Sequence, residues 1–225
     1  MIEARNLKKS FKGKTVLEYA AFTIGGGEFV GFYGPSGIGK STAARVLCGL
    51  VKPDAGEVLL DGKPIAAPGM SYDRKAGLCI QMVFQQPHAA LDPVQKLGSA
   101  FRELAKARFP GITRESAAEL IGSSLTEAGL DAGILARLPS QISGGEAQRV
   151  CIARCLMLSP RLLILDEATS MLDVSTQANV MGAVTRAARA RGGSILLISH
   201  DRALIERVCQ RIYLFEGGRT VEERV

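Results

Sequence analysis

The chain has 225 residues, 47% of them hydrophobic, which is enough for one large domain with a sizeable core or for two small ones. Its formal charge is +6, but Lys and Arg are spread along the sequence rather than run together, which argues against a nucleic-acid tract and for a mildly basic, solvated surface. No stretch approaches the roughly 18 to 20 continuous apolar residues of a membrane span, and residues 1–11 are polar and basic without an apolar signal core. The chain is therefore expected to stay in the compartment where it is made and to meet any membrane through a partner.

In chain order, the first 65 residues carry short extended segments separated by turns, such as Phe22-Thr23-Ile24 and Glu57 to Gly62, which predict an antiparallel sheet. Phe29 to Tyr33 is the first of four short apolar runs, and it leads into Gly34 and a glycine-rich loop. A helical pattern over Thr42 to Leu50 follows. The second run, Leu78 to Phe84, leads into Gln85. From His88 to Leu138 strand runs are missing and Ala, Leu, Arg and Glu dominate, which predicts a helical insertion. A helix is expected from Glu146 to Leu158, stopped by Pro160. The third run, Leu162 to Leu165, ends in Asp166-Glu167. A helix over Val174 to Arg191 ends at Gly192-Gly193, and the fourth run, Ile195 to Ile198, leads into Ser199-His200. Short apolar runs bounded by polar residues suit strands buried on both faces of a parallel sheet, and their alternation with helices predicts an α/β fold.

The five cysteines, Cys48, Cys79, Cys151, Cys155 and Cys209, show no metal or disulfide spacing and read as reduced, mostly buried small hydrophobes.

In open α/β sheets, ligands bind beyond the carboxyl ends of the strands. Each of the four runs delivers chemically capable groups there. After the first, Gly34-Pro35-Ser36-Gly37-Ile38-Gly39-Lys40-Ser41 is a full G-x-x-x-x-G-K-[ST] phosphate loop between a strand and a helix. Its glycines let successive N–H groups turn toward one anion, the helix adds its positive end, Lys40 supplies a point charge, and Ser41 can ligate Mg²⁺. After the third, one of the adjacent carboxylates Asp166 and Glu167 can serve a metal site while the other polarises a water; either can instead cap a helix. Ser143-Gly144-Gly145-Glu146 has capping-box spacing before a long helix. The two glycines also allow close approach of a phosphate to that helix start, and both readings stand.

Together these residues resemble the ATP-binding-cassette (ABC) transporter ATPases along essentially the whole chain. Gly34 to Thr42 looks like Walker A, Leu162 to Glu167 like Walker B, Ser143 to Glu146 like the signature, Gln85 like the Q-loop glutamine, Ser170 to Asp173 like the D-loop, and His200 like the switch histidine. The resemblance implies a P-loop NTPase core with a mainly parallel sheet, an N-terminal antiparallel β subdomain and an inserted α-helical subdomain. It implies one domain over residues 1–225, in which 1–87 and 151–225 form the core with the β subdomain and 88–150 the helical subdomain. ATP and Mg²⁺ are the implied ligands. Lys40 and the loop amides would hold the phosphates; Ser41, Gln85 and Asp166 would organise Mg²⁺; Glu167 would be the general base; His200 would meet the γ-phosphate; and Phe11 would stack on adenine. The signature of one subunit would cap the ATP of another, with Asp173 at that seam.

Two positions depart from the usual pattern: Glu146 stands where the signature ends in Gln, and Met171 where the D-loop has a small residue. Gln85 to Pro93, Gln148 to Arg154 and Leu204 to Gln210 resemble the ATPases of peptide and nickel importers. That resemblance implies transmembrane permease subunits, a second ATPase subunit, the same or paralogous, and indirectly a solute-binding protein, at the cytoplasmic face of the cell membrane. An exporter subunit and a non-transport ABC ATPase acting on nucleic acid are the alternatives.

Overall fold

The computed structural model describes residues 1–168 and 173–224. In chain order its elements are β1 (Ile2–Phe11), β2 (Lys14–Ile24), β3 (Phe29–Tyr33), α1 (Lys40–Leu47), β4 (Ala55–Leu60), β5 (Lys63–Ala66), α2 (Arg74–Gly77), β6 (Ile80–Val83), α3 (Leu97–Arg108), α4 (Arg114–Glu127), α5 (Gly144–Met157), β7 (Leu162–Asp166), α6 (Val174–Ala190), β8 (Ser194–Ile198), α7 (Arg202–Val208), β9 (Arg211–Glu216) and β10 (Arg219–Arg224). Among the described residues the strands form two sheets, ordered β2-β1-β4-β5 and β10-β9-β3-β8-β7-β6.

The chain divides into two compact units. The first comprises residues 1–82, 161–167 and 192–225, of which 1–82, 161–167 and 192–224 are described. Its four-stranded sheet is antiparallel where β1 meets β2 and β4, and where β4 meets β5. Two-residue loops at Lys12-Gly13, Asp61-Gly62 and Gly217-Gly218 close its hairpins and that of β9 and β10, all with positive φ, the backbone twist that joins adjacent strands most tightly. In the second sheet β3 runs parallel to β8 and β9, and β7 parallel to β8. Every residue of β7 and β8 is buried, as expected for strands covered on both faces. Phe22 of β2 meets Phe32 of β3 edge-on at 4.8 Å between ring centres, and Phe32 meets Phe215 of β9 at 4.7 Å, so one aromatic cluster joins the two sheets.

The predicted antiparallel and parallel layers are both present. Some bounds differ. The first helix covers Lys40–Leu47 rather than Thr42 to Leu50, because Gly39 opens it and Gly49, at φ 69°, ends it. The second apolar run is a strand only over Ile80–Val83. The β9–β10 hairpin and α7 were not expected as elements.

The second unit comprises residues 83–160 and 168–191, described at 83–160, 168 and 173–191. It is built from helices: α4 packs on α3, α5 and α6, and α5 also packs on α3 and α6. Phe101, Ile121, Leu125, Val150 and Val184 are buried in it. Thr113, Ser143 and Asp173 cap α4, α5 and α6, each accepting an N–H from the first helical turn. Arg191 closes the end of α6 with a two-pronged bond to Glu127 at 2.5 and 3.0 Å.

Candidate functional site

The phosphate loop lies between β3 and α1, as its sequence context requires. Two of its glycines are obligatory for steric reasons. Gly34 has φ 145°, and a Cβ there would stand 2.8 Å from the Phe215 carbonyl. Gly39 has φ 118°, and a Cβ would stand 2.7 Å from the Val16 carbonyl and 2.8 Å from Leu17 of β2. Lys40 is 5% exposed, and its ammonium donates to the carbonyls of Gly34 at 2.6 Å and Pro35 at 2.8 Å. An ammonium has three donors, so one remains for an anionic oxygen. Burial draws the Lys40 pKa down, and the neighbouring charges of Glu167 and Asp166 draw it partly back up.

Ser41 and Asp166 are 125 positions apart in sequence, yet Ser41 Oγ donates to Asp166 Oδ1 at 2.8 Å. A hydroxyl and a carboxylate side by side, next to a phosphate loop, are the hard oxygen donors that suit Mg²⁺. Asp166 is 4% exposed. Burial raises its pKa, against the lowering effects of the Ser41 bond and the Arg45 charge. A carboxylate whose pKa is raised on folding holds its proton more tightly in the folded state, so it destabilises the fold as pH rises past its unfolded value. Asp166→Asn is therefore expected to raise the melting temperature by a few degrees at pH 8, in a thermal scan without nucleotide. The same variant should lose most Mg²⁺-dependent ATP turnover.

Glu167 follows at once and has φ 49°, a left-handed conformation that costs a non-glycine residue energy. Its peptide N–H is tied to the Ile198 carbonyl at 3.0 Å, which holds that conformation. Its carboxylate lies 3.8 Å from Nδ1 of His200, whose side chain is 71% exposed. The ends of β3, β7 and β8 thus bring Lys40, Ser41, Asp166, Glu167 and His200 into one neighbourhood. Phe11 sits at the β1–β2 hairpin, 45% exposed, with the Lys9 ammonium 5.4 Å from its ring centre. Its free ring surface is available for stacking, and β2 beyond it covers Gly39.

In the helical unit, Ser143 to Glu146 forms a complete capping box at the start of α5. Ser143 Oγ accepts the Glu146 N–H at 3.2 Å, and the Glu146 carboxylate accepts the Ser143 N–H at 2.9 Å and its hydroxyl at 3.1 Å. Arg137 lies 3.3 Å from the same carboxylate. The Ser143 bonds, the Arg137 charge and the Arg149 charge hold the Glu146 pKa below its usual value. The negative charge of Glu146, where the expected signature has Gln, is thus met by a cation that no motif in the sequence singles out. Gln85 is exposed, two residues beyond β6. Asp173 caps α6, accepting from Ser175 Oγ at 2.6 Å and Thr176 N–H at 2.9 Å, which keeps its carboxyl well below the usual range. The remainder of the expected D-loop, including Ser170 and Met171, lies outside the described residues.

The family model for the ABC transporter matches residues 17–170. Nickel import ATP-binding protein NikE of Rhodospirillum rubrum is 37% identical, with 99% of this chain and 83% of that protein covered. A probable peptide ABC transporter ATP-binding protein of Sinorhizobium fredii is also 37% identical, covering 98% of this chain and 62% of that one. Among solved structures, a dimeric post-hydrolysis state of an ATP-binding cassette bound to ADP and Pi aligns with TM-score 0.90 at 29% identity, covering 100% of this chain and 98% of the other. The cbiO1 subunit from Clostridium perfringens, part of the ABC transporter complex cbiONQ, aligns with TM-score 0.80 at 25% identity, covering 99% and 88%.

Proposed function

The chain belongs to the ABC transporter ATP-binding family and is an ATPase, and from that premise we propose that it energises import of a small solute, a peptide or a nickel chelate, as one half of a pair of cassettes. The observation that carries the chemistry is the contact of Ser41 with Asp166 beside Lys40 and Glu167. Lys40 and the loop amides hold the β- and γ-phosphates. Ser41 and Asp166 would hold Mg²⁺, with Gln85 as a further oxygen donor, and the ion would neutralise charge on the phosphates. Glu167 accepts the proton of the attacking water, whose oxygen bonds to the γ-phosphorus as the bond to ADP breaks. His200, within 3.8 Å of that carboxylate, steadies the γ-phosphate. Phe11 stacks on the adenine. Ser143, Gly144 and Gly145 present a capped helix start to the ATP of the partner cassette, with Asp173 at the seam.

The proposed organisation is one domain over residues 1–225. Residues 1–87 and 151–225 form the core with the β subdomain, and 88–150 the helical subdomain. No helix among the described residues is long and apolar enough to cross a membrane. The proposed partners are permease subunits, with the chain at the cytoplasmic face of the membrane and a solute-binding protein acting upstream. The importer reading is supported by the NikE relatives and the peptide-transporter relative, which match nearly the whole chain.

The test is co-purification from gently solubilised membranes with the chain tagged at its native level. A polytopic membrane protein and a second cassette, either identical or paralogous, are the expected partners. Recovery with soluble or nucleic-acid partners alone would overturn the transport reading while leaving the ATPase in place.

A further inference from the structure

The helix that begins at the signature makes a second, regular set of contacts. Gln148 Nε2 donates to the Phe84 carbonyl at 3.3 Å, Cys151 Sγ to the Pro87 carbonyl at 3.6 Å, and Arg154 Nη1 to the Ala90 carbonyl at 3.0 Å. Each pair is separated by 64 positions, so α5 and the segment around Gln85 run in register, three residues at a step. That register has a geometric basis. Pro87–Ala90 is a 3₁₀ turn, whose period is about three residues, while three residues advance an α-helix by about 4.5 Å. Side chains at steps of three on α5 meet the Phe84 carbonyl before the turn and the Pro87 and Ala90 carbonyls within it, and the longest, Arg154, takes the last.

Gln148 is the informative member. It is fully buried, and its Oε1 has no hydrogen-bond partner among the described residues. A buried amide oxygen without a partner is destabilising, and an apolar side chain of similar length would avoid that cost. What the amide supplies here, and an apolar side chain would not, is the bond to Phe84, the residue before Gln85.

We propose that Gln148, Cys151 and Arg154 clasp the backbone on either side of Gln85 to the signature helix, and that Gln148 is a positioning residue that sets where Gln85 is held. The inference rests on the reading in which Gln85 serves the ATP site.

The test uses the purified full chain and three measurements: ATP turnover against Mg²⁺ concentration, melting temperature, and amide exchange. Gln148→Met is expected to raise the half-saturating Mg²⁺ by about three- to tenfold, the effect of losing one hydrogen bond that orients a ligand, with the melting temperature nearly unchanged. Gln85→Ala should shift Mg²⁺ in the same direction, and the double variant should be no worse than Gln85→Ala alone. A Mg²⁺ shift in Gln85→Ala without one in Gln148→Met overturns the clasp and leaves the role of Gln85 standing. No shift in Gln85→Ala overturns that role instead. Exchange on the wild-type chain then decides the clasp: amides of the 84–90 segment protected to the level of α5 uphold it, and exchange at the rate of a free loop overturns it. If Gln148→Met does not fold, Arg154→Met tests the other end against the same exchange prediction.

Discussion

Glu167→Gln will lower ATP turnover by about 10²- to 10⁴-fold, the range contributed by a general base, and will leave ATP binding in place. The amide matches the carboxylate in size, so it fits where β7 ends and accepts the same left-handed backbone, held by the Ile198 carbonyl. What it cannot do is take a proton from water. Lys40, Ser41 and Asp166 are untouched, so ATP still binds and is not consumed. If two cassettes close around ATP, the variant should accumulate as an ATP-dependent dimer, read by light scattering with and without ATP. Turnover at the wild-type rate would remove Glu167 as the base. Lost turnover with no dimer would leave the base and remove the paired cassette.

Lys40→Ala will weaken ATP binding by about tenfold to a hundredfold, the loss expected from one charged hydrogen bond. Equilibrium dialysis with labelled ATP measures it. The side chain is buried against its own loop, so the change also leaves the Gly34 and Pro35 carbonyls without their donor. Because burial disfavours the ammonium, removing it also relieves a desolvation cost, and the two effects on stability oppose each other. The affinity loss should therefore come with a small change in melting temperature. Wild-type affinity would refute the reading of the loop. The two variants also separate the steps: Lys40→Ala acts on binding, Glu167→Gln on chemistry.

Much of the phosphate-binding side was legible in the sequence, because its parts are local. The loop is an uninterrupted motif, and β3, β7 and β8 are apolar runs whose burial on both faces leaves little alternative to a parallel sheet. The Ser143–Glu146 spacing likewise announces its cap, since both partners lie within one turn. What was not legible joins distant residues. The meeting of Ser41 with Asp166 was implied only by the family resemblance, and it depends on the packing of α1 on β7. Arg137 carries no pattern of its own and gains meaning only from the fold that brings it to Glu146. The β9–β10 hairpin was missed for another reason. In Arg211–Glu216 a part-exposed Leu214 and a buried Tyr213 break simple alternation, and the strand is fixed by pairing with β3 rather than by its own pattern.

The position of β3 in its sheet has a consequence for the order of events at the ribosome. Both of its neighbours, β8 and β9, are translated more than 150 residues after it. At about 5 to 20 residues per second, the phosphate loop therefore waits on the order of ten seconds or more beside a strand with two open edges. Until Ser194 to Glu216 has left the exit tunnel, the apolar strand beneath the loop is a target for chaperones and for other nascent chains.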